Sequence, residues 1–246
     1  MSKKFTELFP EDLTYNVGSR IGKAKKIQAI LQNFFGVTKR MTCLDLGCSR
    51  GIITQYLGQF YSKTVGVDVD NLALKYARDH NKSKTISFTL SKENKIPFSN
   101  NCFDVVVFNQ IYEHVENPER IFREIRRVLR KNGICFFGAR NKFGIFDGHY
   151  SLPFLSWLPK SLADYYIRKT TDKEKYDIKL YSYWQLKKLT NNFKCIDYTL
   201  EVIKNPKKYN AQDVIPTNKF INKLIYQFSK MFYVFIPNYL WVLQKI

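Results

Sequence analysis

The chain has 246 residues, a formal net charge of +19, five cysteines, and an aromatic set of 20 Phe, 16 Tyr and 3 Trp. That length suits one α/β domain with elaborations, large enough to bury a core without disulfides or metal. The five cysteines (Cys43, Cys48, Cys102, Cys135 and Cys195) are odd in number and show no Cys-x-x-Cys pair. They exclude a disulfide scaffold and point to reduced thiols in a cytoplasmic protein.

In chain order, a helix is predicted from Arg20 to Phe35. It has Ile21, Ala24, Ile27, Ile30, Leu31 and Phe34 on one face and Lys23, Lys25, Lys26 and Gln28 opposite. Strands follow at Met41–Leu46, Thr64–Asp68, Ile86–Leu90, Phe103–Phe108 and Ile134–Ala139. Between them lie helices at Ile52–Phe60, Asn71–His80 (Leu72, Leu74, Tyr76 and Ala77 inward) and Pro118–Leu129, the last closed by Lys131-Asn132-Gly133. Alternating strands and helices predict a parallel sheet covered on both faces, and the continuous apolar strands agree. Residues 141–181 break the rhythm and read as a cap insertion. Ser182 then caps a helix over Tyr183–Thr190, Phe193–Ile203 reads as a strand, Asn218–Phe235 as an amphipathic helix, and Tyr239–Lys245 as a closing strand antiparallel at the sheet edge. The organisation is thus a helical segment 1–40, a core 41–140, a cap 141–181, and a completion 182–246. The start, Met1–Glu7, has no apolar leader segment. The best spanning candidate, Met231–Leu243, is too short and is broken by Pro237.

Ligands of open α/β sheets bind beyond the carboxyl ends of the strands. There the sequence places Asp45-Leu46-Gly47-Cys48-Ser49-Arg50-Gly51, a glycine loop opening a helix, and Asp68 at the end of the second strand. The glycines allow close backbone approach, the helix start offers N–H groups to a carboxylate, and a strand-end Asp suits ribose hydroxyls or a turn cap. A dinucleotide fingerprint would need glycines at 47, 49 and 52. Ser49 and Ile52 break it.

Cys43–Gly51 resembles motif I of class I S-adenosylmethionine-dependent methyltransferases. Ile96-Pro97-Phe98, Cys102–Val106, Tyr112-Glu113-His114-Val115 and Arg123–Gly133 are similar to the branch that includes the ubiquinone and menaquinone methyltransferases. The resemblance spans about residues 41–140. It implies a Rossmann-like, seven-stranded, mostly parallel sheet with an antiparallel edge pair, and bound S-adenosyl-L-methionine. It also implies cofactor contacts: Asp45, Gly47, Cys48 and Gly51 at the methionine end, Asp68 and Val69 at the ribose, and Asn109 and His114 alongside. Lys92 stands where the family usually has an Asp for the adenine amino group, so Ser91 or Glu93 is expected to replace it. Ser49 replaces a common glycine and is expected to keep a negative φ. His114 reads as a structural or cap-like histidine.

Methyl transfer needs positioning and sometimes a general base, but no metal, and no metal site is predicted. Asn141–Pro159 resembles a segment of methyltransferases found with glycan and lipid-assembly enzymes. That implies an O- or C-acceptor that is a small molecule, a lipid-linked group or a saccharide. The charge favours anionic partners, so an RNA substrate stays open, as does a cofactor-binding module without chemistry. His149, among Phe146, Tyr150, Phe154 and Trp157, is the candidate general base, with an expected pKa near neutrality. The 218–235 helix reads either as packed on the core or as lying on an anionic membrane, peripheral to its inner face.

Overall fold

A computed structural model describes residues 17–92 and 95–246; Glu93 lies outside the described residues. The elements are α1 (Val17–Phe35), β1 (Thr42–Leu46), α2 (Ile52–Leu57), β2 (Lys63–Asp68), α3 (Asn71–Asp79), β3 (Ile86–Leu90), β4 (Phe103–Asn109), α4 (Pro118–Val128), β5 (Leu129–Arg140), α5 (Lys160–Thr170), α6 (Tyr183–Leu189), β6 (Lys194–Asp197), α7 (Thr199–Lys204), α8 (Lys219–Met231) and β7 (Asn238–Gln244). Short 3₁₀ turns occupy Tyr112–His114, Leu155–Trp157 and Tyr233–Phe235.

The seven strands form one sheet in the order β3-β2-β1-β4-β5-β7-β6. β1 to β5 are parallel, while β7 runs antiparallel between β5 and β6. The expected fold class is therefore found, with the closing strand β7 lying inside the edge and β6 outside it.

Successive strand residues point to opposite faces, and both faces are buried. Leu44, Val106, Phe108 and Phe137 face one core with Phe122 and Ile125 of α4 and Leu186 of α6. Cys43, Val105, Val107 and Phe136 face the other, with Ile27 and Leu31 of α1, Leu57 of α2 and Val202 of α7. Two-sided burial is why these strands carry no polar alternation. Phe137 is a hub, with ring contacts to Phe108, Tyr112, Phe122 and Trp241 at 5.0–6.1 Å.

Several local expectations are corrected. In α3, Asp70 caps the helix by accepting from Leu72 N and Ala73 N, which sets a register that buries Ala73, Leu74 and Ala77. Leu72 and Tyr76 are exposed instead. In α1, Gln28 is buried and Lys23 turns towards Gln110, so neither belongs to the solvent face. The reading of Phe193–Ile203 as one strand fails after Asp197. The Asp197 carboxylate accepts from Thr199 N, and the chain turns into α7, which buries Thr199 and Val202 one turn apart.

Residues 141–181 build a small core of their own from Leu155, Ala163, Ile167, Tyr176 and Ile178. Asn141 anchors its start, donating Nδ2 to Val234 O at 2.8 Å and Ile236 O at 2.9 Å. Among the described residues no helix is long and apolar enough to cross a membrane.

Phe137→Ala should remove a fully buried ring and lower stability by about 3–5 kcal/mol, read as a shifted urea midpoint with an unchanged slope.

Candidate active site

The carboxyl ends of β1, β2, β4 and β5 open on one edge. After β1 the backbone turns through Gly47 at φ +79° and Gly51 at φ +75°. Neither tolerates a side chain. A Cβ at Gly47 would lie 2.6 Å from Ile111 Cδ1, and one at Gly51 would lie 2.6 Å from the Phe88 ring. Ser49 is also left-handed, at φ +49°, so the expectation of a negative φ is wrong. The strain is held by a short bond, Ser49 N to Asp68 Oδ2 at 2.7 Å.

Asp68 is thus more than a strand-end acid. One carboxylate oxygen accepts from Ser49 N, and the other accepts from Asp70 N at 3.0 Å. It is not the cap of α3, a role that falls to Asp70. Burial pushes the Asp68 pKa up, and the backbone donors of Asp70, Ser49 and Val69 oppose that rise. Val69 is half-buried beside it.

A narrow cleft lies beside the loop, lined by Arg20, Asp45, Leu46, Gly47, Cys48, Ile52, Ile53 and Asn109. Four of the expected cofactor residues line it, Asp45, Gly47, Cys48 and Asn109, and Gly51 directly precedes Ile52 of its wall. Asp45 Oδ2 accepts from Thr54 Oγ1 at 2.6 Å, and burial raises its pKa to about 6. The thiol of Cys48 belongs to a buried cluster with Leu74, Ala77, Ile86 and Phe88. Burial pushes it up and keeps it protonated. Asn109 lies so close to Gly138 that a Cβ there would fall 2.0 Å from Asn109 Oδ1. Arg20 was missed because it is one of several cations on a helix read as a solvated face. Only the docking of α1 shows that it reaches the cleft.

Past β4 lies a second group of side chains. Glu113 is fully buried in its side chain, and neither carboxylate oxygen has a hydrogen-bond partner among the described residues. Arg140 Nε is 3.8 Å from Glu113 Oε1 and is also without a hydrogen bond. His149 Nε2 is a further buried atom without a hydrogen-bond partner among the described residues. His149 meets His114 edge to face at 5.0 Å, and the roof above is tight: a Cβ on Gly148 would fall 1.0 Å from Arg140 Nη1. Asp147 shapes this turn by accepting from His149 N and Tyr150 N, both at 2.9 Å, and from Tyr176 Oη at 2.8 Å. Lys23 reaches in from α1 and donates to Gln110 Oε1 at 2.7 Å.

Burial decides the protonation of this group. It raises the Glu113 pKa to about 7, against the nearby backbone N–H of Glu113 itself, too poorly aligned for a hydrogen bond, and the pull of Arg140 and Lys23. It lowers Lys23 to about 8, helped by Arg20 and Arg140. It also lowers His149 to about 4, helped by Arg140 and His114. The expectation of a near-neutral His149 is therefore wrong, and His114 is shifted downwards for the same reasons. Glu113, the group poised near neutrality, was passed over because a glutamate in a helix start reads as a surface residue. Glu113, His114 and His149 also bring ligand atoms within 4.8 Å of one another, a grouping that could hold a metal ion, where the sequence suggests none.

Residues 44–137 match a family model described as a methyltransferase domain. The chain is similar to a ubiquinone biosynthesis O-methyltransferase of Pelagibacter ubique, with 29% identity over 67% of this chain and 70% of that protein. It is also similar to a human mitochondrial arginine hydroxylase, at 35% identity over 52% of this chain and 34% of that one. Among solved structures, it shares its fold with a protein from a complex between the Haloferax volcanii Trm112 methyltransferase activator and a putative methyltransferase. That match has a TM-score of 0.56 and 13% identity, and it covers 99% of each chain.

Asp68→Ala should weaken S-adenosylmethionine binding. A lost charged acceptor is worth about 1.5–3 kcal/mol, or roughly tenfold to a hundredfold in affinity, and release of Ser49 N adds disorder in the loop. Titration calorimetry reads the change, and an unaltered dissociation constant rejects the assignment.

Proposed function

Since the chain carries an S-adenosylmethionine-dependent methyltransferase domain, we propose that it passes the methyl group to an oxygen of a small, lipid-borne acceptor, with Glu113 taking the acceptor's proton. The reading rests on one observation: four buried polar atoms, Glu113 Oε1 and Oε2, Arg140 Nε and His149 Nε2, gather in one spot without a hydrogen-bond partner among the described residues, Glu113 and Arg140 being ion-paired only at 3.8 Å. Buried polar atoms are satisfied as a rule, so a polar group of a ligand is the natural complement. The spot adjoins the cofactor cleft, because Ile111 packs on Gly47 and Gln110 follows Asn109 at the end of β4.

The chain's own residues divide the work. Asp45, the glycine loop and Asp68 hold the cofactor, and Arg20 supplies a positive charge to its carboxylate end. Bound S-adenosylmethionine supplies an electrophilic methyl. Transfer is an in-line displacement, so positioning of the acceptor oxygen gives much of the rate. A carboxyl group with a pKa of about 7 is matched to receive the hydroxyl proton at neutral pH. His149, neutral over this range, accepts a hydrogen bond from the acceptor and orients it. This replaces the role of proton acceptor first given to His149.

The ubiquinone-type relative is an O-methyltransferase by name, which supports oxygen as the target. An aromatic-rich cap with Phe143, Tyr150 and Trp157 around the roof suits an apolar ring or chain on the acceptor. RNA is the weaker alternative, because this apolar cap roofs the site. Peripheral contact with an anionic membrane is part of the same reading.

A second reading comes from the two histidines beside Glu113. They are placed to hold a divalent cation, which would polarise the acceptor oxygen. The guanidinium at 3.8 Å and nearby Lys23 oppose a further positive charge.

Glu113→Gln should leave cofactor affinity unchanged and lower turnover on a catechol or other phenolic acceptor by about a hundredfold or more. In the wild type, turnover needs the deprotonated carboxylate. It should therefore rise with pH through about 7 and level off above, and the Gln variant should lose that inflection. Transfer by the variant at the wild-type rate rejects the role of Glu113. Loss of wild-type turnover on chelation, restored by magnesium or manganese, favours the cation reading.

A further inference from the structure

Helix α8 turns its apolar side outward. Phe220, Leu224, Phe228 and Met231 recur at three- and four-residue spacing and so share one stripe. All four are exposed, Met231 to 77% and Phe220 to 71%. No residue of the helix is buried. The half-buried positions are Asn222, Ile225, Tyr226 and Ser229, and Asn222 pins this side to the body by donating Nδ2 to Ile203 O at 2.7 Å. An ordinary surface helix is oriented the other way, with its apolar stripe against the core. Of the two sequence expectations for this segment, packing on the core is therefore wrong.

The apolar surface continues beyond the helix. Phe228 packs on Phe232 at 4.6 Å. Phe235 stacks on Trp157 at 6.3 Å, and Trp157 meets Phe154 edge on at 5.6 Å. Phe154 and Phe146 are exposed in turn. These rings connect α8 to the roof loop that carries His149, and their extent exceeds the scattered apolar residues normal on a surface. Lys219, Lys223 and Lys230 lie along the flank of the stripe, all exposed, in a chain of net charge +19. Rings that enter the acyl boundary, flanked by ammonium groups at headgroup level, form the pattern of a helix lying in an anionic interface. A second copy of the chain would bring another +19 to the contact, whereas a bilayer of anionic lipid supplies the opposite sign.

We propose that α8 and the roof loop dock the protein on an anionic lipid bilayer. The surface stands on its own geometry, and its purpose rests on the lipid-borne acceptor: the loop that presents Phe146 and Phe154 outward carries His149 inward, so an acceptor leaving the membrane meets the site at its roof.

The test is co-sedimentation of the full chain, without cofactor or acceptor, with vesicles of phosphatidylcholine alone or mixed with phosphatidylglycerol. The wild type should sediment with the mixed vesicles at low salt and dissociate as salt rises. Leu224→Gln with Phe228→Gln should weaken partition by about tenfold or more. Both positions are exposed, so circular dichroism and S-adenosylmethionine affinity should not change. Lys223→Glu with Lys230→Glu should abolish the preference for phosphatidylglycerol. Wild-type protein left in the supernatant with both vesicles overturns the proposal, as does unchanged partition of the Leu224→Gln/Phe228→Gln variant. Self-association that this variant abolishes, without vesicle binding, assigns the face to a second copy. Vesicle binding with no methyl transfer to any extracted lipid keeps the docking surface and removes the lipid acceptor.

Discussion

The carboxylate of Asp68 holds the site together. Its two oxygens accept from Ser49 N and Asp70 N, so one side chain ties the glycine loop after β1 to the turn that starts α3. Ser49 stays in a left-handed conformation because of that bond. The loop then presents the first turn of α2 and the edge of Asp45 to the cleft. Steric limits from behind complete the constraint: Phe88 fills the space behind Gly51, and Ile111 fills the space behind Gly47. Loop shape, cleft and the position of the β4 exit are therefore coupled through two glycines and one acid.

Desolvation outweighs Coulomb attraction around this cleft. Lys23 is lowered to about 8 by burial joined with Arg20 and Arg140, while Asp45 is raised to about 6 against the pull of Arg20, and Glu113 to about 7 against that of Arg140 and Lys23. Those charges approach without a direct hydrogen bond, as at the 3.8 Å separation of Arg140 and Glu113, and so recover only part of the hydration lost on burial. The contrast is Asp104. There Arg130 at 2.7–2.8 Å and Thr42 make direct bonds, and the pKa falls below the usual carboxylate range although desolvation is the largest single influence. Asp104 is a brace between strands, whereas the acids at the strand ends remain poised to titrate.

The roof loop joins the chemistry to the surface. Asp147 fixes its turn through two backbone amides and Tyr176. Residues on either side of that turn face opposite ways, His149 towards His114 and Phe154 towards solvent beside Trp157. Movement of the loop would alter the proposed acceptor site and the apolar surface together.

The sheet and the glycine loop were legible in the sequence. Apolar runs at Cys43–Leu46 and Phe103–Phe108, glycines at 47 and 51, and an acid at 68 are local signals, because strand burial and turn geometry are set within a few residues. The short β6 and the turn into α7 were not legible. Phe193–Ile203 has strand-like composition, and the Asp197 bond to Thr199 N that breaks it depends on where β7 lies. Folding brought Arg20 and Lys23 to the site, since nothing in a lysine-rich helix distinguishes these two cations from Lys26, which pairs with Asp213, or from Lys25, which is exposed. It also decided the protonation of Glu113 and His149. A pKa depends on how much water surrounds the group and which charges stand near, and folding supplies both, bringing Arg140 and Lys23 to Glu113 and Arg140 and His114 to His149. The same holds for α8. Its amphipathic pattern fixes that it has an apolar stripe, but only its attachment through Asn222 fixes that the stripe faces outward.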